Sequence, residues 1–317
     1  MKLRQSAQIS KLSWPNIIWI GSIHVLALTF AIPTFSWDAL ALMVFFYYLT
    51  GMVGITFGFH RLLTHRAFKA PVWLENFAAL AGTLACQGGP VSWIATHRLH
   101  HAYSDTPNDP HDASKGFWWS HAGWLFNRRQ DLDIFDEYKH YAPHMASRPF
   151  FVFLEKNMIL IQIVFGLSLM LIGALVHGNA QGLSFSAGFS WVIWGVFVRL
   201  MLVYNVTWFV NSAAHKWGNN SNNISDLSKN CWWVGLLAFG EGWHNNHHAQ
   251  PRTARHGWHW WQVDQTWIMV KTLNLLGILK DLKLPELSTK PKIIEKSSSL
   301  KDTLNLPEII PGNPHQI

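Results

Sequence analysis

Four stretches of this chain, residues 16–35, 38–59, 158–176 and 189–210, are long and apolar enough to cross a bilayer, which takes roughly 20 residues per helix. No other feature narrows the fold so far. In hydrocarbon every backbone N–H and C=O needs a partner within the protein, so runs of this length read as helices, and the predicted fold is all-α. Composition agrees: 49% of the residues are hydrophobic and only 14% charged, an unusual balance for a soluble domain. The 19 tryptophans suit a membrane interface, where the indole body is apolar and its N–H finds water or headgroups. A fifth apolar stretch, "WLENFAALAGTLACQGGPV" at 73–91, carries Glu75 and Gln87 and breaks at Gly88, Gly89 and Pro90. It reads as a buried or interfacial helix that does not cross.

Lysine and arginine set the expected sidedness. The links "PTFSW" and "HGNAQGLSFSAG" have no basic residue, whereas Lys2, Arg4 and Lys11 precede the first run and ten basic residues from Arg61 to Lys156 lie in the segment between the second and third. The positive-inside rule then places both termini, and the cap formed by the long middle segment, in the cytoplasm. The same bias accounts for the formal charge of +7, and no nucleic-acid recognition motif is present. Cys86 and Cys231 are too few for a disulfide framework or a metal knuckle and read as packed apolar residues. The basic N-terminus lacks a small-residue cleavage site, so no cleaved signal is expected. The reading is one membrane-embedded domain, 1–282, followed by a polar, proline-bearing segment, 283–317, expected to be mobile.

The polar segments concentrate histidine. "HRLLTH" supplies His60 and His65, "HRLHH" supplies His97, His100 and His101, and "HNNHH" supplies His244, His247 and His248. On an α-helix positions i, i+3 and i+4 fall within a sector of roughly 60°, so each triplet points its imidazoles at one volume. Crowded, buried imidazoles repel if protonated and waste their donors if neutral, unless an electron-poor guest takes their lone pairs. A metal ion is such a guest, and eight histidines exceed the four ligands of one zinc site, which favours two ions. His60 and His65 lie about 140° apart on a regular helix, so sharing a site requires the helix to end or distort between them. His24, His140, His144 and His177, each alone, read as ordinary hydrogen-bonded side chains. His111, His121, His256 and His259 are candidates to support ligands or carboxylates. Arg199, inside the fourth run, is expected to be paired or to line a polar cavity.

The motifs "GITFGFHRLLTHRAF", "GTLACQGGPVSWIATHRLHHAYSDTPNDPHD", "GFWWSHAGWLF", "NVTWFVNSAAHKWG" and "CWWVGLLAFGEGWHNNHHA" resemble the integral-membrane fatty acid desaturases, above all the Δ9 acyl-lipid desaturases of cyanobacteria and related bacteria. The resemblance runs from about residue 37 to 279. It implies four membrane helices under a cytoplasmic helical cap and two irons held by nine histidines, the eight above and His215. Asn211 would reach the second iron through water, and Gln87, Trp93, Thr207 and Trp208 would shape a bent acyl tunnel. The acyl-CoA branch carries charged residues before its second histidine motif, as in "WARDH"; here "WIATH" places Ala95 and Thr96 there, and Gly88 replaces a polar residue. The implied substrate is therefore an acyl chain esterified to a membrane glycerolipid rather than acyl-CoA.

Removing hydrogen from an unactivated methylene is beyond side-chain acids and bases, so the implied reaction needs iron, O2 and external electrons. No haem-attachment CxxCH, GxGxxG or fused carrier domain is visible, so the electrons come from a separate protein. A basic face suits an acidic ferredoxin, or a cytochrome b5. The alternatives are an acyl-CoA desaturase, a related lipid hydroxylase or ketolase, a zinc hydrolase (HExxH is absent), a metal transporter and a bis-histidine haem protein.

Overall fold

The computed structural model describes residues 11–128 and 134–286. The basic residues Lys2, Arg4 and Arg129, and residues 287–317 of the polar segment, lie outside them. Among the described residues the only strand pairing is a two-residue antiparallel match of Lys11–Leu12 with Asn127–Arg128. The rest of the regular structure is helical.

Three helices are long and apolar enough to cross a membrane: α2 (Trp37–Thr64), α5 (Pro149–Val176) and α6 (Phe185–Lys216). The first apolar run forms α1, Trp14–Phe30, which is shorter at 17 residues. Between α2 and α5 come α3 (Val72–Thr83) and α4 (Pro90–Tyr103), with the short helices Phe117–His121 and Ile134–Tyr141 beyond. After α6 come α7 (Trp232–Leu237), α8 (His244–Ala249) and α9 (Gln265–Leu275). The long helices outrun the apolar stretches that announced them. Ser36 starts α2 by accepting from Ala39 N, and the helix then runs past Phe59 to Thr64, carrying histidine beyond its apolar part.

The fifth apolar stretch breaks in two. α3 has 12 residues, roughly 18 Å, too short to cross a hydrocarbon core of about 30 Å. It packs on α2 through glycine: a methyl group on Gly54 would overlap the backbone of Ala81 and Gly82, and one on Gly58 would lie 2.9 Å from the Ala78 methyl. Gly54→Ala is therefore expected to push the two helices apart, at a cost of about 1–3 kcal/mol. The measurement is a lowered thermal midpoint in detergent, with Gly21→Ala, whose added methyl meets nothing within 4 Å, leaving the midpoint unchanged.

Arg199, expected to be paired or to line a polar cavity, meets backbone and side-chain oxygens. It is fully buried on α6 and has no carboxylate partner among the described residues. Its guanidinium donates to Gly195 O (2.8 Å), Leu84 O (2.7 Å), Thr50 Oγ1 (3.2 Å) and Gln162 Oε1 (3.4 Å). Leu84 is the C-terminal cap of α3, so the cation sits against the negative end of that helix. Tyr204, one turn further along α6, donates to Cys86 O at 2.8 Å. α6 thus pins the sharp link between α3 and α4, where Cys86 and Gly88 take positive φ of 52° and 106°. The start of α4 is held from α5, because Glu155 accepts from Val91 N (2.8 Å) and Ser92 N (3.0 Å) beside Gly89, where a side chain would collide with it.

The first residues of the polar segment expected from residue 283 bond back to the domain. Lys283 N donates to Ala67 O (2.9 Å) and Glu286 N to Gln250 Oε1 (2.9 Å), so the chain is still docked on the domain there.

Candidate metal centre

His60 and His65 lie on and just beyond the last turn of α2, which from Tyr48 to Thr64 is wound as a π-helix. Its i→i+5 bonding, which continues in His65 N donating to His60 O at 3.1 Å, stacks residues five apart one above the other. The distortion required by the HxxxxH spacing is therefore a change of winding, and the two rings stand 4.7 Å apart.

α4 and α8 complete the arrangement with His215 from the last turn of α6. Nine imidazoles gather into two groups, each with its ligand nitrogens within 4.8 Å of one another: His60, His65, His97, His101 and His247 in one, His100, His215, His244 and His248 in the other. Each triplet does not point at a single volume, as its spacing alone implied. Its i, i+4 pair enters one group and its middle histidine the other: His97 and His101 join the five while His100 joins the four, and His244 and His248 join the four while His247 joins the five. The two helices thus swap their central histidines.

Within the first group Nε2 atoms meet Nε2 atoms: His60 to His247 at 3.1 Å, His247 to His101 at 2.9 Å, His101 to His97 at 3.0 Å, and His97 to His65 at 3.0 Å. In the second, His215 meets His244 at 3.1 Å and His100 meets His248 at 3.3 Å. Buried carboxylates fix the other side of several rings. Nδ1 of His100 lies 2.8 Å from Asp109, that of His215 3.1 Å from Asp105, and that of His248 2.9 Å from Asp226. Glu241 Oε2 lies 2.8 Å from His60 Nδ1 and 3.0 Å from His256 Nδ1, close approaches without good hydrogen-bond alignment.

This pattern assigns the protons. A ring whose Nδ1–H is given to a carboxylate keeps a lone pair on Nε2. His100 and His248 both do so, so two lone pairs face each other across 3.3 Å. Only an electron-poor guest relieves that contact, and the separation is one that two ligands of a single ion take. Burial, followed by the neighbouring imidazoles, holds His97, His101, His244 and His247 well below the ordinary histidine value, so they stay neutral donors of electron pairs. Burial pushes the carboxylates upward, but the facing imidazoles outweigh it and hold Asp105 at about 2 and Asp226 and Glu241 low, ionised at neutral pH. The donor set fits transition-metal ions.

A cleft lies against both groups. Tyr47, Gly51, Ile55, Val203, Val206 and Val210 give it apolar walls, and His60, His97, His100, His244 and Asn211 its polar end. Trp93 and Thr207 also line it. Gln87 donates to Thr207 Oγ1 at 2.9 Å, bracing that wall. Trp208 is buried instead against Tyr204, His24 and His121. His111 packs against His100 with centroids 4.2 Å apart and the rings tilted by 37°, and His256 lies 4.5 Å from His247. His121 bonds Ser212 and Asn205, His24 bonds Ile20 O, and exposed His259 stacks on Trp261, all away from the nine.

Sequence reading missed the carboxylates and the arginine behind them. Fully buried Arg61 donates to Glu241 Oε1 (3.1 Å), to both oxygens of Asp264 (2.9 and 3.0 Å) and to Ala254 O (2.8 Å). Asp105 and Asp109 follow the second motif by a few residues and Glu241 precedes the third, so proximity to the histidines was the available signal.

Imidazoles brought from the ends of two membrane-length helices, α2 and α6, and from the short helices α4 and α8, beside a cleft with apolar walls, define a histidine centre able to hold metal. The fatty acid desaturase family model matches residues 35–273, and the chain belongs to that family. It is 49% identical over 275 residues (86% of this chain, 81% of the relative) to an sn-1 stearoyl-lipid 9-desaturase of Synechocystis sp.. It is 48% identical over 278 residues (87% and 96%) to an sn-1 stearoyl-lipid 9-desaturase of Anabaena variabilis, and 44% over 271 residues (85% and 90%) to an sn-2 palmitoyl-lipid 9-desaturase of Nostoc sp..

Proposed function

We propose that the protein is an acyl-lipid Δ9 desaturase, which removes two hydrogens from adjacent methylenes of a saturated chain esterified to a membrane glycerolipid and leaves a cis double bond. The observation that carries this reading is the pair of imidazole groups set at the polar end of an apolar cleft. The named activities of the cyanobacterial relatives support both the carrier and the bond position. Ala95 and Thr96 lack the charges that would grip a CoA group.

The nine histidines would hold two irons, five on one and four on the other, with Asn211 completing the second through water. Iron so bound supplies O2 activation and the one-electron chemistry that an unactivated C–H bond demands. The chain's own residues do the rest. Asp105, Asp109 and Asp226 orient His215, His100 and His248 and select the tautomer that turns the Nε2 lone pair inward. The apolar walls bind the acyl chain by burial, at roughly 0.8 kcal/mol per CH₂, and exclude water. The Gln87–Thr207 hydrogen bond braces the wall that would bend the chain. α1 joins the three longer helices as a fourth span, with both termini and the histidine centre on the cytoplasmic side, facing an acidic ferredoxin or cytochrome b5.

The test is expression in a host lacking desaturases, together with a ferredoxin, and mass spectrometry of intact lipids. A Δ9 double bond in glycerolipid is expected. An added oxygen would identify a hydroxylase or ketolase, and unsaturation appearing first in acyl-CoA would overturn the lipid-linked substrate.

A further inference from the structure

Three segments distant in sequence meet on one basic surface beside the five-histidine group. Lys69 and Lys280 exchange backbone hydrogen bonds (2.8 and 3.0 Å). Lys283 N donates to Ala67 O at 2.9 Å, its Nζ donates to Arg66 O at 2.6 Å, and Ala254 N donates to Lys283 O at 2.7 Å. Arg66, Lys69, Lys283, Lys280 and Arg252 are thereby gathered, and Arg66, Lys69, Arg252 and Lys280 are exposed. The acids within these segments are Asp281, which pairs with Lys69 at 2.7 Å, and Glu286, bonded to Gln250 near Arg252, so the five cations keep a positive excess of three. The cations feel one another: burial first, then the charges of Arg252, Arg66 and Lys69, push the Lys283 ammonium down. Holding like charges together costs free energy that a polyanionic partner would offset.

Two connections run inward from this surface, and both end on the same five histidines. Arg66 is covalently next to His65. Ala254, bonded through its N–H to Lys283, accepts from Arg61 through its carbonyl at 2.8 Å; Arg61 holds Glu241, and Glu241 touches His60 Nδ1. A site for lipid headgroups needs no such connection to the metal centre, whereas a site for electron entry does.

We propose that the surface formed by Arg66, Lys69, Arg252, Lys280 and Lys283 is the docking site of a small acidic electron-carrier protein, and that electrons enter the centre through its five-histidine half. The proposal rests on the reading above that an external carrier feeds the enzyme. Each double bond takes two electrons from two one-electron carriers. With one O2, the two hydrogens lost by the chain and two protons, they leave two waters.

The test uses the full-length, iron-loaded enzyme, with reduced plant-type [2Fe–2S] ferredoxin as the probe. Arg252→Glu and Lys280→Glu, singly and together, reverse exposed charges without touching the backbone bonds that join the segments. The double variant is expected to need about tenfold more ferredoxin for half-saturation at low salt. Its iron content and its reduction by dithionite should match the wild type, as should every measurement on Lys229→Glu, in the loop that follows α6. Unchanged ferredoxin saturation overturns the surface. So does a parallel loss of dithionite reduction, which marks a structural defect, and so does weakened binding to phosphatidylglycerol vesicles with ferredoxin saturation intact, which marks a headgroup site. Wild-type enzyme that dithionite reduces but neither ferredoxin nor cytochrome b5 turns over overturns the carrier reading as well.

Discussion

His247→Ala is expected to abolish unsaturated product while the protein still inserts and accumulates. His247 is fully buried, and its Nε2 stands 3.1 Å from that of His60 and 2.9 Å from that of His101, so it links the α2 and α4 contributions to the five-member group. Losing it leaves a hole where a ligand stood and lone pairs with no shared guest. Disturbing an outer partner of a metal ligand costs about 10–100-fold in affinity or activity, and loss of a ligand should exceed that. Lipid mass spectrometry and iron per chain are the measurements. Full activity in this variant contradicts the ligand assignment.

Asp264→Ala should be the most damaging substitution for stability. Asp264 accepts from both terminal nitrogens of Arg61, from His256 N (2.8 Å) and Gly257 N (3.2 Å), and from Trp267 N (2.9 Å), where it caps α9. Its removal leaves a buried guanidinium with half its counter-charge and three backbone donors without an acceptor. Breaking a buried pair in this way costs about 3–5 kcal/mol. The thermal midpoint in detergent should fall steeply, and with it the hold on Glu241 and His60. Asp281→Ala, at an exposed pair with Lys69, should leave the midpoint where it is, because screened surface pairs contribute about 0–1 kcal/mol.

The contrast between these residues explains what the sequence could reveal. Histidine spacing on a helix defines an angle, which is local, so the three motifs and their convergence were legible. An angle does not say which volume each flank of the face meets. The exchange of His100 and His247 between the groups depends on how α4 and α8 lie against each other, which no spacing encodes. The π winding of α2 was visible only as a misfit, five residues where a regular helix wants three or four. Hydropathy found the long helices but stopped short of their ends, because Arg61 and His60 are polar residues carried on the same helix. Asp226 and Glu241 are common residues in loops, and only tertiary contact turns them into partners of histidine. His215 was supplied by resemblance. Its spacing is unremarkable, and only packing brings it from the last turn of α6 to the four-member group.

The central claim is that the two imidazole groups bind a pair of irons. Metal analysis of the purified full-length protein tests it most directly, read beside His247→Ala from the five-member group and His244→Ala from the four-member group. The account predicts two irons per wild-type chain and a deficit in each variant. A chain that carries zinc or a single ion while still producing the double bond, or that keeps both irons after either substitution, contradicts it.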